Sequence, residues 1–340
     1  CFLVCALTCI QPMNIFSLFR RKPPPAPLTP APDSSTEPPI QTILRALVIV
    51  YDPVVDKASG KKLSEHMRWN KVEDLAVGFM SDILQASGGL VRYQITQRID
   101  VDSFPAKVDG YSYDANTYLN VQRGATPPYM PQEADYLAII KQFDILKRVA
   151  RNEIDEVWIF NFPDAGFYES IMGGPGAFWC NAPPLQHTED SKRRFVIMGF
   201  SSERGQGEML ENMGHRAESI MEKVFENLEG DENYWKRFIR YDRVHKGQAA
   251  LGNVHFAPNS VRAYDWKTPS IVVSECDDWL YNLPNFKGIT RQVSAADWGN
   301  GDTRKHHLWW MSHFPKTLGR RNGISHNWWQ YIADPNHVIT

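Results

Sequence analysis

The chain has 340 residues, 43% of them hydrophobic and 22% charged, which is enough apolar material for one large domain or two small ones. A formal net charge of -2 gives no electrostatic footprint for nucleic acid or for an anionic membrane surface. Of five cysteines only Cys180 and Cys276 lie beyond the first ten residues, so a cysteine-rich disulfide scaffold is excluded.

The opening run from Cys1 to Ile10 is apolar, about as long as the h-region of a secretory signal and too short to span a bilayer. Residues 1–19 therefore read as a signal or the remnant of an anchor. Residues 20–41 read as a disordered spacer, because their Pro, Ser and Thr cannot bury enough apolar surface to order themselves. A secreted or surface-tethered monomer is expected, with contact to a membrane only through that N-terminal segment. Export would allow one Cys180–Cys276 disulfide.

Residues 42–340 are expected to form a single α/β domain, with a sheet-and-helix half over 42–229 and an irregular, Trp-rich lobe over 230–340. The apolar run Ile43 to Tyr51 predicts a strand buried on both faces. Asn70 is placed to cap a helix carrying Val72, Leu75, Phe79 and Ile83, which stops at Ser87-Gly88-Gly89. Val91 to Val101 alternates like a strand with one wetter face, and Ala134 to Arg151 predicts a second helix. Buried strands follow at Glu156 to Phe162 and from Phe195, separated by a long loop, Pro163 to Arg194. This order argues for a layered α/β domain with a mixed or mostly parallel sheet and flanking helices.

The organising helix comes next. Leu210, Met213, Ala217, Ile220, Met221, Val224 and Leu228 recur at spacings of three and four and make one buried stripe. Glu211, His215, Glu218 and Glu222 stack along its edge. One helix can present ligands at such spacings to a divalent cation, zinc above all. Gly214 costs about 1 kcal/mol against Ala in mid-helix, so something approaches the backbone there. A further histidine would come from elsewhere: His255 first, with His307, His313 and His326 as the other candidates.

The segment Leu210-Glu211-Asn212-Met213-Gly214-His215 resembles the helix of zincin metallopeptidases, whose pattern is His-Glu-x-x-His. That resemblance implies a metal-dependent hydrolase of an extracellular polymer, peptide or glycan. Glu211 stands in place of the first His ligand. Asn212 stands in place of the general-base Glu, and an amide cannot take a proton from metal-bound water.

Two other readings stay open. Asp277, Asp278 and Asp297 could pair as the carboxylates of a metal-free glycosidase, and Asp297 to Asp302 could hold calcium, although Asp and Gly are also ordinary turn residues. Alternatively the chain is a non-catalytic binding module. In both cases Trp279, Trp298, Trp309 and Trp310 would stack on sugar rings.

Overall fold

Strand β1 (Thr42–Tyr51) is buried from Ala46 to its end. Its alternate residues divide between two cores. Ala46, Val48 and Val50 face one, and Leu47, Ile49 and Tyr51 face the other. A strand covered on both sides has no wet face, which is why its sequence is continuously apolar.

The computed structural model describes residues 32–339. After β1 come a small hairpin, β2 (Val54–Asp56) and β3 (Lys61–Lys62), and helices α1 (Leu63–Met67) and α2 (Val72–Ala86). Strand β4 (Val91–Val101) follows, then α3 (Ala115–Gln122), α4 (Tyr136–Gln142), α5 (Ile145–Ala150) and β5 (Glu156–Asn161). Strands β6 (Ser170–Gly173) and β7 (Phe195–Ser201) lead into α6 (Gln206–Val224). Five strands form one sheet in the order β4-β1-β5-β7-β6, parallel except for β6, which runs antiparallel along β7. Helices α2 and α6 cover one face, and α3, α4 and α5 cover the other. The layered, mostly parallel architecture is the expected one.

The second half contributes α7 (Tyr234–Phe238), β8 (Val272–Ser274), α8 (Cys276–Asn282), β9 (Arg291–Val293), α9 (Thr303–Ser312), the hairpin β10 (Lys316–Arg321) and β11 (Ile324–Asn327), and α10 (Trp329–Ala333). Its tryptophans join the core under α2 and α6. Between the halves, Arg216 of α6 lies wholly buried. It donates to Glu156 Oε2 at 2.7 Å and to the Ala333 carbonyl at 2.7 Å, joining α6, β5 and α10.

Several local expectations change. Asn70 does not cap α2. Its amide donates to the carbonyls of Ser202 (3.3 Å) and Arg204 (3.0 Å), tying the start of α2 to the turn before α6. The helix expected over 134–151 is broken into α4 and α5, because Asp144 sits in the left-handed region at φ 53°. Residues 1–31, with the signal-like segment and most of the Pro-rich spacer, lie outside the described residues. The rest of that spacer is ordered: Ser34 pairs with Arg320, and the Glu37 carboxylate takes the Arg320 guanidinium at 2.6 Å.

Cys180 and Cys276 are both buried and free, so no disulfide joins them. Burial pushes both thiols up, which keeps them protonated. Among the described residues no helix is long and apolar enough to cross a membrane.

The α9 region makes stability sensitive to acid. Burial pushes His313 down to about 4, and His306 also falls well below the ordinary imidazole value. Below pH 6.5 the unfolded chain takes up a proton at His313 that the folded one refuses until about pH 4. Stability therefore falls as pH drops through that window, by about 1.4 kcal/mol per pH unit for His313. Urea unfolding at pH 7 and pH 5 should show a loss of about 2 kcal/mol from His313 alone, which His313→Gln removes. An equal loss in the variant would contradict the assignment.

Candidate metal centre

Helix α6 begins where β7 ends, with the Glu208 carboxylate accepting the Gly205 N–H at 3.0 Å. Its stripe is buried from Leu210 to Met221, while Val224 at its end and Leu228 beyond it are half-buried, and Glu211 and His215 lie on the edge facing a turn of the second half. That turn carries His255 and is held at almost every polar group. Gly252 takes φ 73°, and its carbonyl accepts from Trp310 Nε1 at 3.0 Å. Asn253 Oδ1 accepts from the backbone of His255 and of Phe256, both at 3.0 Å. Gly214 explains itself here: a Cβ on it would lie 2.6 Å from Val254 Cγ2, so the missing side chain lets the turn press against α6.

The result is a cluster of three side chains from two parts of the chain. Glu211, His215 and His255 each offer a ligand atom within 4.8 Å of the others, the one such group among the described residues. His255 Nε2 is 3.5 Å and His215 Nε2 is 4.0 Å from Glu211 Oε1. The two imidazoles meet edge to face with centroids 4.7 Å apart. Zinc bonds of roughly 2.0–2.2 Å in a tetrahedron hold ligand atoms about 3.4 Å apart, so small rotations would close these three on one ion.

Glu218 lies on the far side of His215. Its Oε2 accepts from His215 Nδ1 at 3.0 Å, and its Oε1 accepts the Val254 N–H at 3.2 Å. It thus turns His215 Nε2 toward the cluster and fastens the His255 turn to α6, the role of a carboxylate behind a histidine ligand. The Tyr264 hydroxyl donates to Glu211 Oε1 at 3.1 Å and meets His255 Nε2 at 2.8 Å. Glu169, just before β6, brings Oε2 to 3.8 Å from His215 Nε2.

The charges support one another. Burial alone would raise Glu211, but His255, His307, Tyr264 and His215 outweigh it and hold the carboxyl below its usual range. Burial lowers and Glu218, Glu169 and Glu211 raise His215, with a net rise. Tyr264 is pushed up to about 12 by burial and by Glu211. Asn212 turns its amide away and donates to the Gly199 carbonyl at 2.7 Å, locking α6 to β7.

His307 is buried beside the cluster with Nε2 3.3 Å from the Val254 carbonyl. His313 and His326 each direct a ring nitrogen to a carbonyl, of Trp309 and Leu318 respectively. Trp279, Trp298 and Trp310 are buried in the core and offer no face to a sugar, a correction to the expected platform. Trp309 is half-buried against Trp298 and His313.

The aspartates of the second half are occupied. Arg291 bridges Asp277 and Asp297 at 2.9 and 2.7 Å, the buried Asp278 accepts the Lys287 and Gly288 N–H groups, and Asp302 caps α9. Neither an acid–base pair nor a calcium loop is set up by these contacts. Tyr264 and Glu169 have no mark in the sequence, since each is brought in by a long-range contact.

No family model matches the chain, and no curated protein or solved structure shows significant similarity to it.

Proposed function

We propose that the chain is a zincin-like metal-dependent hydrolase in which Glu211, His215 and His255 hold a zinc ion. The observation that carries this reading is the convergence of three ligand atoms within 4.8 Å, with His215 Nδ1 held by Glu218. Three protein ligands leave a fourth position for water. This is the pattern of catalytic zinc, whereas structural zinc is closed by four. Bound there, zinc would lower the pKa of the water and polarise a carbonyl.

His215 stands between two openings. Glu169 and Asn212 line a cleft of about 290 Å³ at the carboxyl ends of β5 and β7, where ligands gather in open α/β sheets. Glu218 lines a groove of about 600 Å³ with Phe178 and the exposed Trp179. An extended polymer could lie across both, and we assign the substrate to that class, peptide or glycan, outside the cell. Asn212 favours the rival reading of a binding module, since the helix lacks a base at that position.

The test is metal content by mass spectrometry on untagged protein purified without chelator and dialysed against zinc. We expect about one equivalent in wild type, none in His215→Ala or His255→Ala, and affinity about 10–100-fold weaker in Glu218→Gln. A wild type that stays empty rejects the metal reading.

A further inference from the structure

A metal-bound water needs a base, and the helix has none where Asn212 stands. Resting on the metal reading above, we infer that Glu169 is that base. The neighbouring carboxylates of α6 are committed: Glu211 is a ligand, Glu218 holds His215 Nδ1 and the Val254 N–H, and Glu208 holds the Gly205 N–H. Glu169 lines the same cleft as Asn212. Its Oε2 is 3.8 Å from the ligand nitrogen of His215, and with 33% of its side chain exposed it meets solvent in the cleft. It stays outside the group whose ligand atoms all lie within 4.8 Å of one another. From there its carboxylate would reach a water held beside His215, and the zinc content of Glu169→Gln separates that role from a fourth ligand.

Its position is fixed by two separate ties. Asn181 Nδ2 donates to Glu169 Oε2 at 2.8 Å, the Asn181 N–H donates to Ser219 Oγ at 2.9 Å, and Ser219 Oγ donates to the His215 carbonyl at 3.0 Å. This chain references the carboxylate to the backbone of the ligand it serves. The second tie is Gly199 of β7. Its N–H donates to the Glu169 carbonyl at 3.1 Å, while its own carbonyl accepts the Asn212 amide. A Cβ on Gly199 would lie 2.4 Å from the Tyr168 carbonyl oxygen, so the glycine is what lets the Glu169 segment lie against β7. Asn212 thus anchors β7, the strand against which the segment carrying Glu169 lies.

With zinc held by Glu211, His215 and His255 to make water more acidic, Glu169 would accept a proton from that water as its oxygen adds to the carbonyl carbon of an amide or ester. When the C–N or C–O bond breaks, Glu169 returns the same proton to the leaving nitrogen or oxygen. Water is consumed, and no oxidant, reductant or other co-reactant is needed.

The test uses the zinc-loaded full chain as wild type and Glu169→Gln, which preserves shape and removes the charge. The probes are p-nitrophenyl acetate and a fluorogenic peptide library of mixed sequence. We expect Glu169→Gln to keep about one equivalent of zinc and the wild-type melting temperature, while kcat/KM falls at least about 100-fold on a probe that wild type hydrolyses. Turnover within threefold of wild type overturns the assignment. Loss of zinc in the variant makes Glu169 a ligand and overturns it too, as does a zinc-loaded wild type that hydrolyses neither probe. A wild type that binds no zinc is a different failure, that of the metal reading itself.

Discussion

Gly252→Ala will destabilise the protein by about 2–4 kcal/mol and weaken zinc binding, although it changes no ligand. Gly252 takes φ 73°, where an L side chain costs roughly 1–2 kcal/mol. A Cβ there would also lie 1.9 Å from the Phe256 carbonyl oxygen, an overlap that only movement of the backbone can relieve. The backbone that must move is the turn bearing His255, whose Asn253 N–H donates to that same Phe256 oxygen at 2.8 Å. Gly60→Ala is the control, since Gly60 has a similar φ of 69° and a Cβ on it would meet nothing within 4 Å. Urea unfolding and zinc titration on the two variants separate the effects. Gly60→Ala should show only the dihedral cost and keep wild-type zinc affinity, and Gly252→Ala should lose at least about tenfold in affinity. Equal behaviour of the two would mean that the His255 turn is not under this constraint.

What can be read from the chain divides by the range of the contacts involved. Strands β1, β5 and β7 are legible because burial on both faces leaves a continuous apolar run, and α6 because one buried face imposes a period. Glu211 and His215 follow from that same period, being one helical turn apart. His255 is one of several candidate histidines. Its place depends on Gly214 and Gly252, which permit an approach of the turn to α6 that no local pattern encodes. Glu169 and Tyr264 are invisible for the same reason, since they reach the cluster across β7 and through a loop. Strand β6 is hidden inside an expected loop because an edge strand of four residues is too short to show alternation. The tryptophans mislead in the opposite sense. In a half with few long helices they fill the core that leucines would fill elsewhere, so their number reflects packing and not a sugar surface.

Arg216→Met should destabilise the protein by about 3–5 kcal/mol, because it strands a carboxylate in the core. Glu156 and Arg216 are each buried to within about one per cent, 2.7 Å apart, with no solvent to replace a lost partner. After the substitution Glu156 keeps the Trp158 Nε1 donor, at 2.5 Å, but loses its countercharge, and the Ala333 carbonyl loses its own donor. The double variant Glu156→Gln with Arg216→Met removes both charges. Its cost should fall below the sum of the single costs by at least about 1 kcal/mol, the coupling expected of groups in direct contact. Additive costs would show that the pair is not interacting as the distance implies. The pair also bears on the metal centre. Arg216 follows His215 on α6, so its two hydrogen bonds fix the rotation of the helix about its axis and with it the direction of the His215 ring. Zinc affinity in Arg216→Met, measured under conditions where the variant remains folded, should therefore fall even though Glu211, His215, Glu218 and His255 are intact.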